Sequence, residues 1–169
     1  GFEEVMKEGP LCREQMRGCK FIFTHFVPHE DTAHRGLSQL GPASRRACMG
    51  ALLTAGTTVL EPTLAIEVRV PTDLVGSVST VINGRRGKVL DMSQKGAASI
   101  VIGEIPASET FTLSEAMRGQ TAGRATWNTS FKEWTQVPKS LFQTAISDIR
   151  KRKGLAPDPP HISDFIDKD

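Results

Sequence analysis

The sequence predicts an α+β protein whose clearest part is a ferredoxin-like split βαβ domain. Residues 63–70 alternate between apolar and other side chains, a pattern typical of a half-buried strand. A helical pattern follows, then two strand patterns joined by a turn, and finally a short helix and a last strand. This β-α-β-β-α-β order predicts a four-stranded antiparallel sheet with both helices on one face.

The first strand and helix of this domain have clear limits. Pro71 ends the strand, Thr72 is expected to cap the helix, and Asp73 lies where the helix dipole favours an acid. Asn83 and Gly84 end the helix. The apolar residues that predict these two elements are Leu64, Ile66, Val68, Val70, Leu74, Val75, Val78, Val81 and Ile82.

Two further strands are predicted at residues 88–92 and 99–105. The turn between them lies around Lys95 and Gly96, and Pro106 ends the second strand. We therefore expect a hairpin after the first helix.

The last helix and strand of the domain follow this hairpin. Thr112 and Glu115 have the spacing of a capping box and open a short helix through Met117. Gly123 starts the last strand, in which alternate residues share one face. These residues are Ala125, Trp127, Thr129 and Phe131.

The first sixty residues predict a helix, a strand and a second helix. The strand would contain Cys19, Phe21, Phe23 and His25 in alternation, and Gly41-Pro42 would open the second helix, which Gly56 ends. One strand is a thin basis for an independent core, so we expect strands of this domain to lie outside the chain. The chain starts with Gly1 rather than Met, which also favours a fragment.

The C-terminal segment predicts one more helix after Pro138. Lys151, Arg152 and Lys153 occupy its last turn and Gly154 caps it. Its apolar stripe should pack on another element. The stripe consists of Leu141, Phe142, Ala145, Ile146 and Ile149.

Composition excludes several classes of protein. The chain has 169 residues, a formal charge of +2, 38% hydrophobic and 24% charged residues, which are globular values. No run approaches the roughly 18 apolar residues of a membrane span. Three cysteines without a CxxC pair argue against a disulfide framework or a zinc site, so we expect no metal and a cytoplasmic location. Cys48 is expected to be a small apolar residue.

Positive charge is clustered although the net charge is small. One group consists of Arg35, Arg45 and Arg46, a second lies at 85–88 and a third at 150–153. Such clusters can contact phosphates locally, and they can also be solvated helix ends.

The most unusual segment is the histidine loop, residues 29–36. His29 and His34 are five positions apart, so on a helix they would point about 140° apart and could not share one metal. Two interpretations remain. The segment is a solvated loop with capping acids, or it presents His34, Arg35 and Gly36 to an anionic partner. No Gly-x-Ser-x-Gly or GxxxxGK[ST] motif is present.

Taken in order, these segments resemble the C-terminal part of translation elongation factor 2, the archaeal and eukaryotic ribosomal translocase family. The resemblance covers nearly the whole chain with compatible spacing. Its motifs are His29-Glu30-Asp31, His34-Arg35-Gly36, Arg45-Arg46, Leu60-Glu61-Pro62, Asn83-Gly84-Arg85-Arg86-Gly87-Lys88-Val89 and Arg150-Lys151-Arg152-Lys153-Gly154-Leu155.

The resemblance implies a division of the chain into three parts. Residues 1–58 would be the second half of domain IV, a partial α/β domain like ribosomal protein S5. Residues 59–135 would be the ferredoxin-like domain V, and 136–169 the C-terminal helix and extension, packed back toward domain IV.

The resemblance also implies a function without catalysis in this fragment. His34 would be the diphthamide site, and the loop would enter the decoding centre and promote tRNA–mRNA translocation. Expected contacts there are His29, Asp31, His34, Arg35 and Gly36, with rRNA contacts from Arg45, Arg46, Arg85, Arg86 and Lys88. For His29 and Asp31, a role in shaping the loop is favoured over direct contact with a partner.

The partners implied are the ribosome with its rRNA and tRNA–mRNA duplex, the diphthamide-synthesis enzymes and ADP-ribosylating toxins, with no membrane. No cofactor is expected in the fragment, since GTP and Mg would belong to a missing upstream domain. Two alternatives stay open. One is a stand-alone ferredoxin-like RNA-binding or regulatory module, and the other is an enzyme that uses His29, Asp31 and His34.

Overall fold

The computed structural model describes residues 1–166 as two compact units. The first comprises Gly1–Val59 with the segment from Val137 onward, and the second comprises Leu60–Gln136. None of the helices within residues 1–166 is long and apolar enough to span a membrane. The helices and strands are α1 (Phe2–Lys7), α2 (Leu37–Thr54), β1 (Leu60–Pro71), α3 (Val75–Asn83), β2 (Lys88–Lys95), β3 (Ala98–Pro106), α4 (Leu113–Thr121), β4 (Thr126–Gln136) and α5 (Phe142–Arg152).

The second unit has the ferredoxin-like fold that the sequence predicts. Its sheet has the order β2-β3-β1-β4 with every neighbouring pair antiparallel. The apolar faces of α3 and α4 pack with the inward residues of β1 and β3, so the alternation in the sequence becomes the core. The most deeply buried side chains are Ile66, Val68, Val70, Val78, Ile82, Val101, Ile105, Leu113 and Met117.

The residues predicted to share one face of the last strand do share it, but they are not all buried. Trp127, Thr129 and Phe131 lie opposite Val68, Ile66 and Leu64, which belong to the core side of β1. Trp127 packs on the core, whereas Phe131 is 56% exposed. β4 forms an edge of the four-stranded sheet, where a side chain has a neighbouring strand on one side only.

Thr112 is the N-cap residue of α4 as predicted, but neither of the two predicted side-chain caps forms in this unit. Thr72 begins a short 3₁₀ turn and its hydroxyl bonds to that of Ser99 at 3.0 Å, so it caps nothing. Thr112 precedes α4 without a side-chain capping bond, so the expected capping box with Glu115 does not form. The residues directly before α3 and α4, Leu74 and Thr112, have ψ angles of 4° and 11° instead of the extended conformation of a capping residue.

The first unit has a small core at the C-terminal half of α2. Val5, Met49 and Leu52 are buried there, and Cys48 packs partly against them as expected. The ring of Phe2 meets that of Phe21 edge-on at 5.2 Å.

The strand predicted around Cys19 to His25 does not form. The backbone of residues 19–29 is irregular or extended, and no ladder pairs with it within the described chain. A strand exists only with a neighbour that takes its backbone hydrogen bonds, so alternation alone did not suffice.

The second helix also begins earlier than predicted. α2 starts at Leu37, and Pro42 lies inside it. The carbonyl of Gly36 accepts from the amides of Gln39 and Leu40, which forms the first turn ahead of the proline. Pro42 then removes one intrahelical donor without preventing the helix.

The C-terminal helix α5 packs in the first unit, as its apolar stripe predicts. Ile146 is buried, and Gly154 ends the helix in the left-handed conformation at φ +67°. Arg150 donates to the carbonyl of Leu11 at 2.7 Å and Lys153 to that of Arg13 at 2.7 Å, which fixes the end of the helix to this N-terminal loop.

Candidate nucleic-acid interface

The histidine loop lies at the exposed end of the longest helix. Every residue from 22 to 39 is exposed, and Met49 is the first buried residue of α2. Met49 follows Leu37 by twelve residues, about 18 Å along the helix axis. Within its unit, the loop therefore lies well away from the apolar core.

A short 3₁₀ turn gives the loop its shape. The turn runs from Thr32 to Arg35, and the Asp31 carboxylate caps it by accepting from the Ala33 amide at 2.9 Å. Gly36 follows as the N-cap residue of α2. Asp31 and Gly36, which the sequence singles out, thus begin and end the turn that leads into the helix.

Arg35 closes the loop on itself. Its Nε donates to the carbonyl of His29 at 2.7 Å, and one Nη donates to that of Glu30 at 3.0 Å. An arginine has five N–H donors, so three remain for a partner. The guanidinium therefore both clasps the loop and carries its positive charge at the surface.

The two imidazoles stand side by side. The rings of His29 and His34 have centroids 4.6 Å apart at an angle of 56°. His29 accepts the Asp31 amide hydrogen at Nδ1 over 3.0 Å, and Nε2 of His34 lies 4.0 Å from an Asp31 carboxylate oxygen. The structure thus brings together the three residues that the sequence named, with the His34 side chain 53% exposed.

The arrangement of these side chains is suited to recognition by shape and charge more than to catalysis. The Asp31 carboxylate and the His29 ring are taken up by backbone bonds of their own loop. Among residues 1–166, no group of three or more His, Cys, Asp or Glu side chains could hold a metal ion. The loop therefore carries positive charge on a backbone that is held by hydrogen bonds within the loop.

Arg45 and Arg46 lie on α2 beyond the loop. Arg45 approaches a carboxylate oxygen of Glu4 at 3.8 Å, with 43% of its side chain exposed. Arg46 is exposed. Both are in the same unit as the loop.

The cluster at 85–88 divides into side chains that bond within their own domain and one, Lys88, that does not form an ion pair with a described residue. Arg86 bonds both oxygens of Glu61, at 2.7 and 3.0 Å, and also reaches Glu109 at 2.7 Å. The hydrogen bond with Glu61 raises the pKa of Arg86, with burial acting in the opposite direction. Arg85 donates to the Thr112 carbonyl at 3.1 Å, whereas Lys88 is exposed and makes no ion pair with any described residue.

Sequence reasoning missed the partners that hold Arg86. Glu61, Ser108 and Glu109 surround the guanidinium, and Glu61 and Glu109 lie 25 and 23 residues away in the chain. No local pattern links these positions, since the folded sheet brings them together. A basic motif read from sequence alone therefore overstated the charge available to an outside partner.

The third cluster is divided in the same way. Arg150 is 7% exposed and bonds to two carbonyls, and Lys153 also pairs with Glu14 at 2.7 Å. Lys151 and Arg152 are exposed. Half of this cluster therefore holds the fold together.

Comparison with known families covers almost the whole chain. Residues 1–56 match the family described as elongation factor G, domain IV, and residues 58–145 match the elongation factor G C-terminus. A crystal structure of a protein from Thermus thermophilus superposes with a TM-score of 0.73 at 29% identity, over 88% of this chain and 22% of the other.

Curated relatives agree with these matches. The chain is 76% identical to elongation factor 2 of Cenarchaeum symbiosum over 100% of its length, which is 23% of that relative. It is 47% identical to elongation factor 2 of Sulfurisphaera tokodaii and 45% identical to that of Desulfurococcus mucosus, over 98% of its length in both cases and 22% and 23% of theirs. The chain spans less than a quarter of these relatives, and it belongs to the elongation factor G and elongation factor 2 family, to whose C-terminal part it corresponds.

Proposed function

We propose that this chain is the C-terminal part of a GTP-dependent ribosomal translocase, and that its histidine loop enters the decoding centre to promote tRNA–mRNA movement. The observation that carries the proposal is the 76% identity to elongation factor 2 over all 169 residues of this chain. In this proposal the fragment performs no catalysis itself. GTP and Mg belong to an upstream domain of the full-length factor.

The geometry of the loop supports a role in contacting RNA. A loop already fixed by Arg35 and Asp31 loses little conformational entropy when it binds. Its exposed imidazole and the three remaining arginine donors suit phosphate oxygens and base edges. His34 and Arg35 are the proposed direct contacts, and His29, Asp31 and Gly36 hold their positions.

The basic clusters support a narrower set of rRNA contacts than the motifs imply. Arg45, Arg46 and Lys88 are the proposed contacts, since their charge lies at the surface. Arg85 and Arg86 serve as internal supports, because their bonds go to their own domain. The ribosome in the cytoplasm is the proposed site of action.

We further propose that His34 is the diphthamide site. Its exposed ring, free of any short hydrogen bond among the described residues, is accessible to the modifying enzymes and to ADP-ribosylating toxins. Peptide mapping of the protein from its native host tests this. A mass increase confined to the peptide that contains His34 is expected, and an unmodified peptide removes this part of the proposal.

Photo-crosslinking of the full-length factor tests the location of the loop. A photoreactive amino acid at position 34 should crosslink to decoding-centre rRNA, mRNA or tRNA in a stalled complex. The same amino acid at Thr144, an exposed position on α5, is the control and should give a different pattern. Crosslinks from position 34 that reach only proteins, or only the large subunit, contradict the proposal.

A further inference from the structure

His29 accepts a backbone hydrogen bond through its ring. The amide of Asp31 points to Nδ1 at 3.0 Å. A ring nitrogen can accept only when it carries no hydrogen, so this bond requires neutral His29 with its hydrogen on Nε2. The contact spans two residues, the spacing at which Asp and Asn side chains accept in Asx turns. His29 therefore acts as an aromatic substitute for an asparagine at this turn.

The same residue contacts the other two parts of the loop. Its ring lies 4.6 Å from that of His34, and its backbone carbonyl accepts the Nε hydrogen of Arg35 at 2.7 Å. His29 thus meets the Asp31 backbone, the His34 ring and the Arg35 guanidinium together. A change at its ring therefore acts directly on the Asp31 amide and on the ring of His34.

Protonation would reverse the polarity of this contact. The imidazolium has a hydrogen on both nitrogens, so Nδ1 would face the Asp31 amide as donor against donor. Histidine is the residue type that most often serves as a proton-dependent switch in proteins.

The charged groups around His29 determine what this transition does. Arg35 would add like-charge repulsion, and so would His34 when protonated. On the acidic side, one Asp31 oxygen is bonded to the Ala33 amide and the other lies 4.0 Å from His34, while Glu30 adjoins His29 in the chain. The first turn of α2, the next element, carries no acid.

We propose that His29 is a proton-sensitive positioning residue. In its neutral form it holds Asp31 and the ring of His34 in their exposed arrangement, and protonation releases them. The consequence for presenting His34 rests on the proposed function, whereas the loop transition is a property of this chain alone. The two histidines therefore have different roles, because His34 is exposed to a partner and His29 holds it in position.

Nuclear magnetic resonance of the 169-residue chain labelled with ¹⁵N tests the proposal. Long-range spectra of the rings should identify His29 at neutral pH as the tautomer with hydrogen on Nε2. As His29 titrates, the Asp31 amide should shift and its hydrogen exchange, corrected for the intrinsic pH dependence, should accelerate about fivefold, the weight of one neutral hydrogen bond. The ring resonances of His34 should move in step.

Two variants distinguish the role of the Nδ1 acceptor of His29 from the role of its aromatic ring. His29→Asn keeps an acceptor at the same spacing, so the Asp31 amide should stay protected at every pH while His34 loses the ring-current shift. His29→Phe keeps a ring and removes the acceptor, so the Asp31 amide should exchange fast at every pH while His34 keeps such a shift.

Some results would overturn the proposal. One is neutral His29 with its hydrogen on Nδ1, and another is an Asp31 amide whose shift and exchange ignore the titration of His29. Equal behaviour of the two variants would also overturn it. None of these readouts involves the ribosome, so failure of the translocase proposal would leave them unchanged.

Discussion

Arg86 holds Glu61 by a two-pronged ion pair, with N···O distances of 2.7 and 3.0 Å, and this joins the turn before β2 to the start of β1. The same guanidinium reaches Glu109 and Ser108 in the turn before α4. Arg86 itself has φ +55°, a left-handed conformation that few side chains adopt. The ferredoxin-like domain is therefore fastened at one corner by a strained arginine.

Removing this arginine should destabilise the domain. Arg86→Ala leaves the carboxylates of Glu61 and Glu109, which are 13% and 29% exposed, without their partner. We expect a loss of roughly 2 kcal/mol in the free energy of unfolding. Lys88→Ala is the matched control and should change stability by less than about 0.5 kcal/mol. Urea unfolding of both variants measures this, and equal stabilities would contradict the fastening role.

The glycine after Arg86 should tolerate no side chain. A Cβ at Gly87 would lie 2.8 Å from backbone oxygens of Glu104 and Ile82, so the strand or the helix end must move. Gly87→Ala should cost about 2 kcal/mol. Gly119→Ala, in α4 with no atom within 4 Å of the new Cβ, should instead gain about 0.5 kcal/mol. Thermal unfolding should therefore shift in opposite directions, and shifts of the same sign would refute this packing argument.

Arg150 should hold α5 against the N-terminal loop. It is 7% exposed and donates to the carbonyls of Leu11 and Ala156 at 2.7 and 2.5 Å. Arg150→Met fills similar space and leaves both acceptors unsatisfied, at a cost of about 2 kcal/mol. Hydrogen exchange should rise in α5 and around Leu11. The Lys151→Met control, at an exposed position, should leave exchange unchanged.

Cys12 should be the slowest of the three thiols to react. Burial raises its pKa, while the charges of Arg150 and Lys153 oppose that effect. Cys19 and Cys48 are both partly exposed, so iodoacetamide at pH 8 should modify them before Cys12. Mass spectrometry of a time course checks this order, and faster labelling of Cys12 would contradict it.

The raised pKa of Cys12 also predicts that the stability of the protein depends on pH. The folded state keeps the thiol proton of Cys12 more tightly than the unfolded chain does. The stability that this retained proton contributes is fully present below the ordinary cysteine pKa of about 8.5. It is lost as the pH rises through the higher pKa that Cys12 has in the folded state. The difference in stability between the wild type and Cys12→Ala should therefore shrink in alkaline solution. A constant difference across that range would contradict the burial argument.

The sequence predicts the ferredoxin-like domain because its signals are local. Alternation in β1 and helical spacing in α3 each require only neighbouring residues, and both agree with the structure. The predictions that were wrong concern features that depend on residues distant in the sequence. Thr72 bonds to Ser99 instead of capping a helix, and the segment from Cys19 lacks the neighbour that a strand needs.

The candidate loop shows the same division. Its residues were identifiable because unusual polar types stand close together in the sequence. The clasp between Arg35 and the carbonyl of His29 was not predictable, since it depends on a turn whose backbone dihedrals no local pattern specifies. The internal hydrogen bonds of Arg86 and Arg150 were not predictable either, because they reach partners more than twenty and more than a hundred residues away.

The most direct measurement of the central claim compares translocation with GTP hydrolysis in the full-length factor. Arg35→Ala removes the clasp and the exposed charge of the histidine loop. We predict that single-round translocation slows on the order of tenfold, equivalent to roughly 1.4 kcal/mol, while GTP hydrolysis stays unchanged. Lys151→Ala should leave both rates at the wild-type value. Translocation at the wild-type rate with Arg35→Ala would contradict the account.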